Sequence, residues 1–375
     1  MHNKSVRIFH ILTSLEHGGA QFLASKLILN DNKSFNHIVF TLVDLGPYKS
    51  ILINKGIEVK STKSSSFLFI IKAAIKYYLR SRPDIVHTWM YHADLTGLIL
   101  SIFFKKHKLI WSLHHANPAE NKFITRVIIR VCKFFSAHIP DKIVACSQLA
   151  SQNHIKYGYS KDNMIVIENG INFENYTNQT KALEKYNFNK NKIVIGHIAR
   201  WHPIKGHKVF IEMASNLYKN NKKYSFILVG TGINWDNKEL VKLLTNYELI
   251  DAVELLGERK DINMILNNLD IYISTSINES FSLTLVEAIA CRVLSISSDT
   301  GVARDALADK LCIVNIGDSS QLIEAVKTLV SLPVNNILKI VDDSYEKIHR
   351  RFEENIMFDK YHNLYLSILK NNHKF

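Results

Sequence analysis

The sequence predicts an α/β protein made of two Rossmann-like, doubly wound parallel-sheet domains that face a cleft. Its 375 residues, 47% of them hydrophobic, are enough to build two cores of ordinary domain size. Short runs rich in Val and Ile alternate with helical stretches, which is typical of parallel sheets covered by helices. A polar segment at residues 173–191 separates two such series. In this fold class, ligands bind beyond the carboxyl ends of the strands.

The first series covers residues 1–172, which we predict to form an N-terminal domain. Its predicted strands are Val6–Leu12, His37–Val43, Asp84–His87, Leu109–Leu113, Lys142–Ala145 and Met164–Ile167. Gly18 and Gly19 follow the first strand, and glycines there tolerate a positive φ and let a ligand approach the backbone. Two predicted helices, Phe67–Arg80 and Asn121–His138, carry basic residues at helical spacing.

A second series follows at residues 192–354, which we predict to form a C-terminal domain. Its predicted strands are Ile193–Ile198, Phe226–Val229, Val253–Leu255, Ile271–Ser274, Val293–Ser297 and Leu311–Val314. Residues 173–191 are the predicted linker, and the peptide between Gly170 and Asn191 is the expected hinge. Two helices from about Asn335 to Leu369 follow, and we expect residues 355–375 to pack back toward the N-terminal domain.

The cysteines and apolar runs argue against a disulfide framework, a zinc site and a membrane span. Cys132, Cys146, Cys291 and Cys312 show no paired spacing. The longest apolar run, Leu95–Phe104, is too short to cross a bilayer, and no apolar signal segment follows the first residues. We therefore expect a cytoplasmic protein, bound peripherally to the inner face of the cell membrane.

The net charge of +13 is concentrated in the N-terminal half. Residues 1–172 carry 22 Lys and Arg against 10 Asp and Glu, whereas residues 173–375 carry 25 against 24. Such a field attracts nucleic acid, anionic lipid or an anionic substrate. Because the two basic helices also carry Phe residues, we expect an anionic membrane surface as a partner. No nucleic-acid motif is recognisable, so nucleic acid is not an expected partner.

Two carboxylates, Glu279 and Glu287, lie eight residues apart around one predicted helix start. A helix N-terminus presents unpaired N–H groups and partial positive charge, which suit a phosphate. The amides expected to hold it are those of Phe281, Ser282, Leu283 and Thr284. The carboxylates would accept hydrogen bonds from the hydroxyls of attached sugars. We therefore predict that residues 192–354 bind a nucleoside-diphosphate sugar.

Two cations, Arg200 and Lys205, follow the predicted strand Ile193–Ile198 and would face the same anion. They would neutralise a departing diphosphate by fixed positive charge. The sequence has no metal motif, so we expect neither a metal nor another cofactor.

Several short motifs resemble the family-4 retaining glycosyltransferases of the GT-B fold, in order over essentially the whole chain. They are Gly18-Gly19-Ala20-Gln21, Glu168-Asn169-Gly170-Ile171-Asn172, Arg200 with Lys205-Gly206, and the Glu-x7-Glu segment. The segment from His87 to Asp94 resembles a subset that builds bacterial surface polysaccharides such as O-antigen and capsule. Departures concern the sugar pocket, where Ser280, Arg292 and Leu294 replace the usual Gly, Gly and Pro, and Asp305 replaces a more common Glu.

The resemblance implies roles for single residues. Glu287 would accept the ribose hydroxyls, Glu279 would lie near the donor sugar, and Gly18 and Gly19 would press against the donor phosphate. Either His114 or His115 would lie near the reacting sugar. Further expected contacts are Arg259 at the base pocket and His87 and His92 on the acceptor side.

The predicted function is retaining, metal-independent transfer of a sugar, most simply from a UDP-sugar, to a hydroxyl of a lipid-linked glycan. The predicted mechanism is front-face substitution, in which the departing phosphate helps to deprotonate the acceptor. Alternatives are a sugar-nucleotide epimerase or hydrolase on the same scaffold, a basic nucleic-acid-binding protein, and a silent partner of another transferase. Donor sugar, acceptor, linkage position and oligomeric state are left open by the sequence.

Overall fold

A computed structural model describes residues 5–16, 18–31, 34–44, 46–62, 66–119, 123–176, 186, 188 and 192–370. The chain forms two compact units and passes between them after Asn169 and again after Glu354. The first passage lies three residues before the predicted domain end at residue 172. Most of the predicted linker, 173–191, falls outside the described residues.

The first unit contains a sheet of seven parallel strands in the order β3-β2-β1-β4-β5-β6-β7. The strands are β1 (Val6–Leu12), β2 (Phe35–Thr41), β3 (Glu58–Ser61), β4 (Ile85–Trp89), β5 (Lys108–Leu113), β6 (Lys142–Ala145) and β7 (Met164–Val166). The flanking helices are α1 (Gly19–Asn30), α2 (Tyr48–Asn54), α3 (Phe67–Ser81), α4 (Tyr91–Phe103), α5 (Phe123–Phe135), α6 (Gln148–Tyr157) and α14 (Glu354–Lys370).

Helices cover both faces of this sheet, because successive strand residues point to opposite sides. Ile8 and Leu12 of β1 belong to a core that includes α1 and α14, with Tyr361 and Tyr365 fully buried. Phe9 belongs to a second core, which includes buried residues of α3, α4 and α5. The last helix therefore completes one face of the sheet that the first residues begin.

The second unit contains a sheet of six parallel strands in the order β10-β9-β8-β11-β12-β13, built around one continuous core. The strands are β8 (Ile193–Ile198), β9 (Tyr224–Val229), β10 (Val253–Leu255), β11 (Ile271–Ser274), β12 (Leu294–Ser298) and β13 (Ile313–Val314). The helices are α7 (His207–Asn220), α8 (Lys238–Asn246), α9 (Ile262–Asn267), α10 (Leu283–Ala290), α11 (Ala303–Ala306), α12 (Ser319–Ser331) and α13 (Val334–Phe352).

The predicted strands agree with the structure except at some ends and at one edge. The edge strand β3 was not predicted, because Val59 is its only apolar residue. The predicted strand 311–314 is shorter in the structure, since a 3₁₀ turn at Lys310–Cys312 precedes β13. The predicted helix 121–138 is α5, whose described part runs from Phe123 to Phe135.

The two passages of the chain lie next to each other. Ile171 forms an isolated parallel bridge with Glu353, its N–H donates to the carbonyl of Phe352 at 2.8 Å, and its own carbonyl accepts from Glu354 N–H at 3.0 Å. A Cβ on Gly170 would crowd the backbone of Glu354, which explains the glycine. The described beginning of the predicted hinge is therefore bonded to the end of α13.

Buried histidines make the stability of the fold depend on pH. Burial lowers the pKa of His107, His114 and His154 to about 4, and that of His197 to about 3. In an unfolded chain a histidine titrates near about 6.5. As the pH falls from 6.5 towards 4, the unfolded chain binds protons that the native protein does not, so the native state loses stability.

We expect the free energy of unfolding to fall steadily below pH 6.5, by up to about 1.4 kcal/mol per pH unit for each such histidine. Urea unfolding at a series of pH values measures this slope. In His154→Gln the slope should be smaller by roughly one histidine. A free energy of unfolding that stays constant from pH 6.5 to 5 would contradict the assignment.

Candidate active site

Two loops meet at the carboxyl edge of the second sheet, where β8 and β11 lie side by side. The loop after β8 contains Lys205 and Gly206, and the loop after β11 begins at Thr275. The Thr275 hydroxyl donates to the carbonyls of Lys205 and Gly206, both at 3.1 Å, and Ile277 N–H donates to Ile204 carbonyl at 2.8 Å. Gly206 has φ +68°, and a Cβ there would overlap the Thr275 carbonyl oxygen. This close approach fixes the backbone that carries Lys205.

Lys205 and Glu279 form an ion pair between these loops. The same Glu279 oxygen accepts a hydrogen bond from the Ser276 hydroxyl at 2.8 Å, and Glu279 N–H donates to Thr300 Oγ1 at 3.0 Å. The two charged side chains keep 22% and 16% of their surface exposed. A cation that is fixed yet reachable from solvent can bind a phosphate, and the carboxylate beside it can accept sugar hydroxyls.

Helix α10 starts four residues after Glu279 and presents its N-terminus at the same edge. Its first turn has no acidic residue, and the N-cap residue Ser282 makes no side-chain capping bond. Such a start leaves backbone N–H groups for an anion. The preceding backbone is held by Val302, whose N–H donates to Phe281 carbonyl at 3.2 Å, next to Gly301 at φ +60°.

Ser282 adopts a left-handed conformation, with φ 75° and ψ 66°. This conformation costs a non-glycine residue roughly 1–2 kcal/mol. We expect Ser282→Gly to raise the free energy of unfolding by about 0.5–1 kcal/mol, net of the entropy that glycine adds to the unfolded chain. The neighbouring Ser280 has no positive φ, so Ser280→Gly should lower the free energy of unfolding by about as much. Urea unfolding of both variants checks the pair; an equal loss in both would contradict strain at Ser282.

Glu287 lies near the middle of α10. It accepts a hydrogen bond from the Tyr176 hydroxyl at 2.8 Å. Burial and the Glu287 charge raise the pKa of Tyr176. The structure therefore places both predicted carboxylates on one segment, with Glu279 paired to a cation and Glu287 paired to a phenol.

Arg200 is exposed at the end of β8, and its guanidinium has no hydrogen-bond or ion-pair partner among the described residues. Its carbonyl accepts from His207 Nε2 at 2.9 Å. Burial, and then the charges of Arg200 and Lys205, lower the pKa of His202. Arg259 is exposed and makes a two-pronged ion pair with Asp261, at 2.8 and 2.6 Å, so its role at a base pocket stays a prediction.

The glycines predicted to act in the first unit lie at the start of α1. Gly18 is the N-cap residue, with φ −174° and ψ 153°. Neither Gly18 nor Gly19 has a positive φ, so the loop does not use this conformation, which glycine tolerates. A Cβ on Gly19 would meet no atom of the described residues within 4 Å. Contact with a donor phosphate stays a prediction.

The two candidate histidines after β5, His114 and His115, differ in their hydrogen bonds. His114 stacks on Trp89, with centroids 5.4 Å apart and planes at 16°, and neither ring nitrogen has a hydrogen-bond partner among the described residues. With a pKa lowered to about 4 by burial, His114 is neutral near pH 7. His115 Nδ1 instead bonds the Asn117 carbonyl at 3.1 Å. Both ring nitrogens of His114 are buried, so which of the two histidines contacts a ligand stays a prediction.

His87 does not meet the expectation of an acceptor contact. It is fully buried, with Nδ1 bonded to Tyr365 hydroxyl at 2.8 Å and Nε2 to Ser112 hydroxyl at 2.7 Å. No ring nitrogen is left for a ligand, because α14 covers this face of the sheet. His92 is half-buried on α4, and its acceptor role stays a prediction.

Three contributors to the site were not predicted: Tyr176, Ser276 and Thr300. Ser276 contacts Glu279 from within the same loop, Thr300 contacts it from the loop after β12, and Tyr176 contacts Glu287 from a distant part of the chain. The described residues include no group of three or more His, Cys, Asp or Glu side chains arranged to hold a metal ion. Within the same residues, no helix is long and apolar enough to cross a membrane.

Comparisons with known families match both halves of the chain. Residues 178–351 match the model of the glycosyl transferases group 1, and residues 42–175 match that of glycosyltransferase family 4. The chain is 29% identical to N,N'-diacetylbacillosaminyl-diphospho-undecaprenol alpha-1,3-N-acetylgalactosaminyltransferase of Campylobacter jejuni, covering 95% of this chain and 98% of that protein.

Two further proteins are similar at lower identity. The O-antigen biosynthesis glycosyltransferase WclY of Escherichia coli is 24% identical over 84% of this chain and 86% of its own. The crystal structure of Anabaena Alr3699/HepE in complex with UDP superposes with a TM-score of 0.84 at 21% identity, covering 96% of this chain and 100% of that one. At this identity the superposition shows the shared fold.

Proposed function

This chain belongs to the glycosyltransferases of the GT-B fold, and from that premise we propose that it moves a sugar from a UDP-sugar to a hydroxyl of a lipid-linked glycan, with retention at the anomeric carbon. The observation that carries the proposal is the Lys205–Glu279 ion pair beside the uncapped start of α10. Surface polysaccharide synthesis is the proposed setting, since relatives of this chain carry such names.

The donor would bind through its charges. Lys205 and Arg200 would hold the diphosphate together with the N–H groups at the start of α10, and Glu287 would accept the ribose hydroxyls. Glu279 would accept hydroxyls of the transferred sugar and lie close to its positively charged transition state. UDP is the proposed nucleotide because Anabaena HepE was crystallised with UDP and with UDP-glucose.

The proposed reaction is a front-face substitution. The bond from the anomeric carbon to the phosphate oxygen breaks, the bond to the acceptor oxygen forms on the same face, and the acceptor proton passes to the departing phosphate. Lys205 and Arg200 stabilise the negative charge that develops on that phosphate. We propose that this charge suffices without a metal ion, which predicts full activity in EDTA. A contact of His114 or His115 with the reacting sugar stays part of the proposal.

The lipid-linked acceptor is proposed from the name of the Campylobacter relative, which acts on a diphospho-undecaprenol. A hydroxyl on such a carrier lies at a membrane surface, so the enzyme needs to work there. Product analysis with and without acceptor separates this transferase from an epimerase or a hydrolase on the same scaffold.

The donor is tested by thermal unfolding with a panel of UDP-, GDP-, ADP- and TDP-sugars, because a ligand of the native state alone raises the melting temperature. We expect a rise for UDP-sugars that is abolished in Lys205→Ala and in Glu287→Ala. A rise for another nucleotide class would replace UDP in the proposal. No rise for any member at millimolar concentration would overturn the donor site.

The membrane partner is proposed from one helical face of the first unit, here termed the basic apolar face. It combines exposed apolar residues with Lys and Arg on α3 and α5, both of which contact α4. Its apolar residues are Phe67, Leu68, Phe69, Phe123, Ile124, Val127, Val131 and Phe134, and its basic residues are Lys72, Lys76, Arg80, Arg126, Arg130 and Lys133. Such a mixture suits an anionic lipid surface.

We expect the protein to sediment with vesicles that contain anionic lipid, and less with purely zwitterionic ones. Phe123 and Phe134 are 71% and 73% exposed, so the double variant Phe123→Ser with Phe134→Ser should bind such vesicles about tenfold more weakly, because two apolar anchors are lost. Trp235→Ser, at an exposed site of the second unit, is the matched control and should bind as the wild type. Equal binding by all three proteins would contradict the basic apolar face.

A further inference from the structure

The backbone just before Tyr176 belongs to the second unit and is fixed there by several contacts. A 3₁₀ turn at Phe173–Asn175 follows the bridge at Ile171, and the side chain of Phe173 is buried. The carbonyl of Asn175 accepts a hydrogen bond from the Asn263 side-chain amide at 3.2 Å. The position of Tyr176 is therefore set by main-chain contacts before the turn and at its last residue, independently of the tyrosine hydroxyl.

Among the described residues, the hydroxyl of Tyr176 makes one hydrogen bond. It donates to Glu287 Oε1 at 2.8 Å, and the ring packs against the core of the second unit. Because burial and Glu287 raise the pKa of the phenol, the hydroxyl keeps its proton and remains the donor. A hydrogen bond to an ionised carboxylate is roughly twice as strong as one between neutral groups. The bond holds one oxygen of Glu287 in a defined place.

A phenylalanine would provide the same packing, since the ring without its hydroxyl fills the same space. The hydroxyl of Tyr176 therefore serves the contact with Glu287 and is not needed for packing in the core. A long acidic side chain that is already ordered loses less freedom when it binds a ligand. The contact reaches across 111 positions of sequence to a carboxylate on the helix that begins at the proposed donor site.

We propose that Tyr176 is a positioning residue, which holds Glu287 in the conformation that accepts the ribose hydroxyls of the donor. The inference rests on the proposed function, because it takes the ligand of Glu287 to be a ribose. It predicts that the Tyr176 hydroxyl affects affinity only for nucleotides whose ribose carries its hydroxyls.

Calorimetric titration with UDP and with 2′,3′-dideoxy-UDP tests this inference. In Tyr176→Phe we expect the affinity for UDP to fall about threefold to tenfold, and the affinity for the dideoxy nucleotide to stay as in the wild type. In a Glu287→Ala background, Tyr176→Phe should have no further effect on UDP. The matched control is Tyr247→Phe, which removes another tyrosine hydroxyl that donates to a glutamate, Glu212 at 2.9 Å, and should change neither affinity.

The outcomes distinguish a failure of the Tyr176 inference from a failure of the proposed function. An equal loss for both nucleotides in Tyr176→Phe would make the role structural and overturn the inference. Unchanged affinities in Tyr176→Phe, with UDP binding selectively weakened in Glu287→Ala, would overturn the inference and leave the proposed function standing. A wild-type protein that binds neither nucleotide would remove the proposed donor site and the inference with it.

Discussion

Replacing Lys205 by methionine should lower kcat for sugar transfer by about 10²- to 10³-fold. Methionine keeps most of the side-chain volume and removes the charge, so the loss measures the positive charge at the departing phosphate. Preorganised groups that face developing charge commonly contribute a factor of this size. Lys205 is preorganised, because its backbone is bonded to Thr275 and its ammonium to Glu279.

Initial rates with saturating donor and acceptor measure this effect. The control is Lys208→Met, three residues further along, since Lys208 is 71% exposed and 3.8 Å from Glu212. We expect the control to keep wild-type kcat. A comparable kcat in both variants would show that Lys205 has no part in the reaction. The melting temperatures of the two variants would then show whether Lys205 has a role in folding.

Gly206→Ala should be the most damaging single-methyl change in the second unit. Alanine would adopt φ +68° with strain, and its Cβ would overlap the Thr275 carbonyl oxygen. We expect the free energy of unfolding to fall by about 2–4 kcal/mol, because the loops after β8 and β11 must separate. The separation displaces Lys205, so transferase activity should fall together with stability.

Gly257→Ala separates the effect of backbone strain from the effect of the close approach between the two loops. Gly257 has φ +66°, close to that of Gly206, yet the nearest atom to a Cβ there is Ile233 carbonyl oxygen at 4.0 Å. This variant should lose only about 1 kcal/mol, from backbone strain alone. Equal losses for the two alanines in urea unfolding would contradict the close approach of the two loops.

The sequence was sufficient where a signal is local. Strands β1, β6, β8, β10 and β11 were predicted with the ends they have, because each is a short stretch that contains two or more of Val, Ile and Leu. The ion pair between Lys205 and Glu279 was not predicted as such, but both residues were assigned to one site. Helix starts, strand ends and charge spacing can be read along a single stretch of chain.

The sequence was insufficient where the partner lies far along the chain. Tyr176 meets Glu287 only through tertiary packing, and nothing in its own neighbourhood marks it. His87 seemed accessible because it is polar and ends a predicted strand, yet the strand continues to Trp89 and α14 buries it. Both faces of a parallel sheet are covered, so a polar residue on a central strand is buried whichever way it points.

The path of the chain also sets an order of events during synthesis. The first unit needs α14, whose Tyr361 and Tyr365 complete the core around Ile8 and Leu12. A ribosome makes that helix only after the whole second unit, although domains otherwise tend to fold as they emerge. Until then, the face of β1 that α14 covers stays exposed on the nascent chain. We therefore expect the second unit to fold first and the N-terminal half to depend on chaperones until α14 has been made.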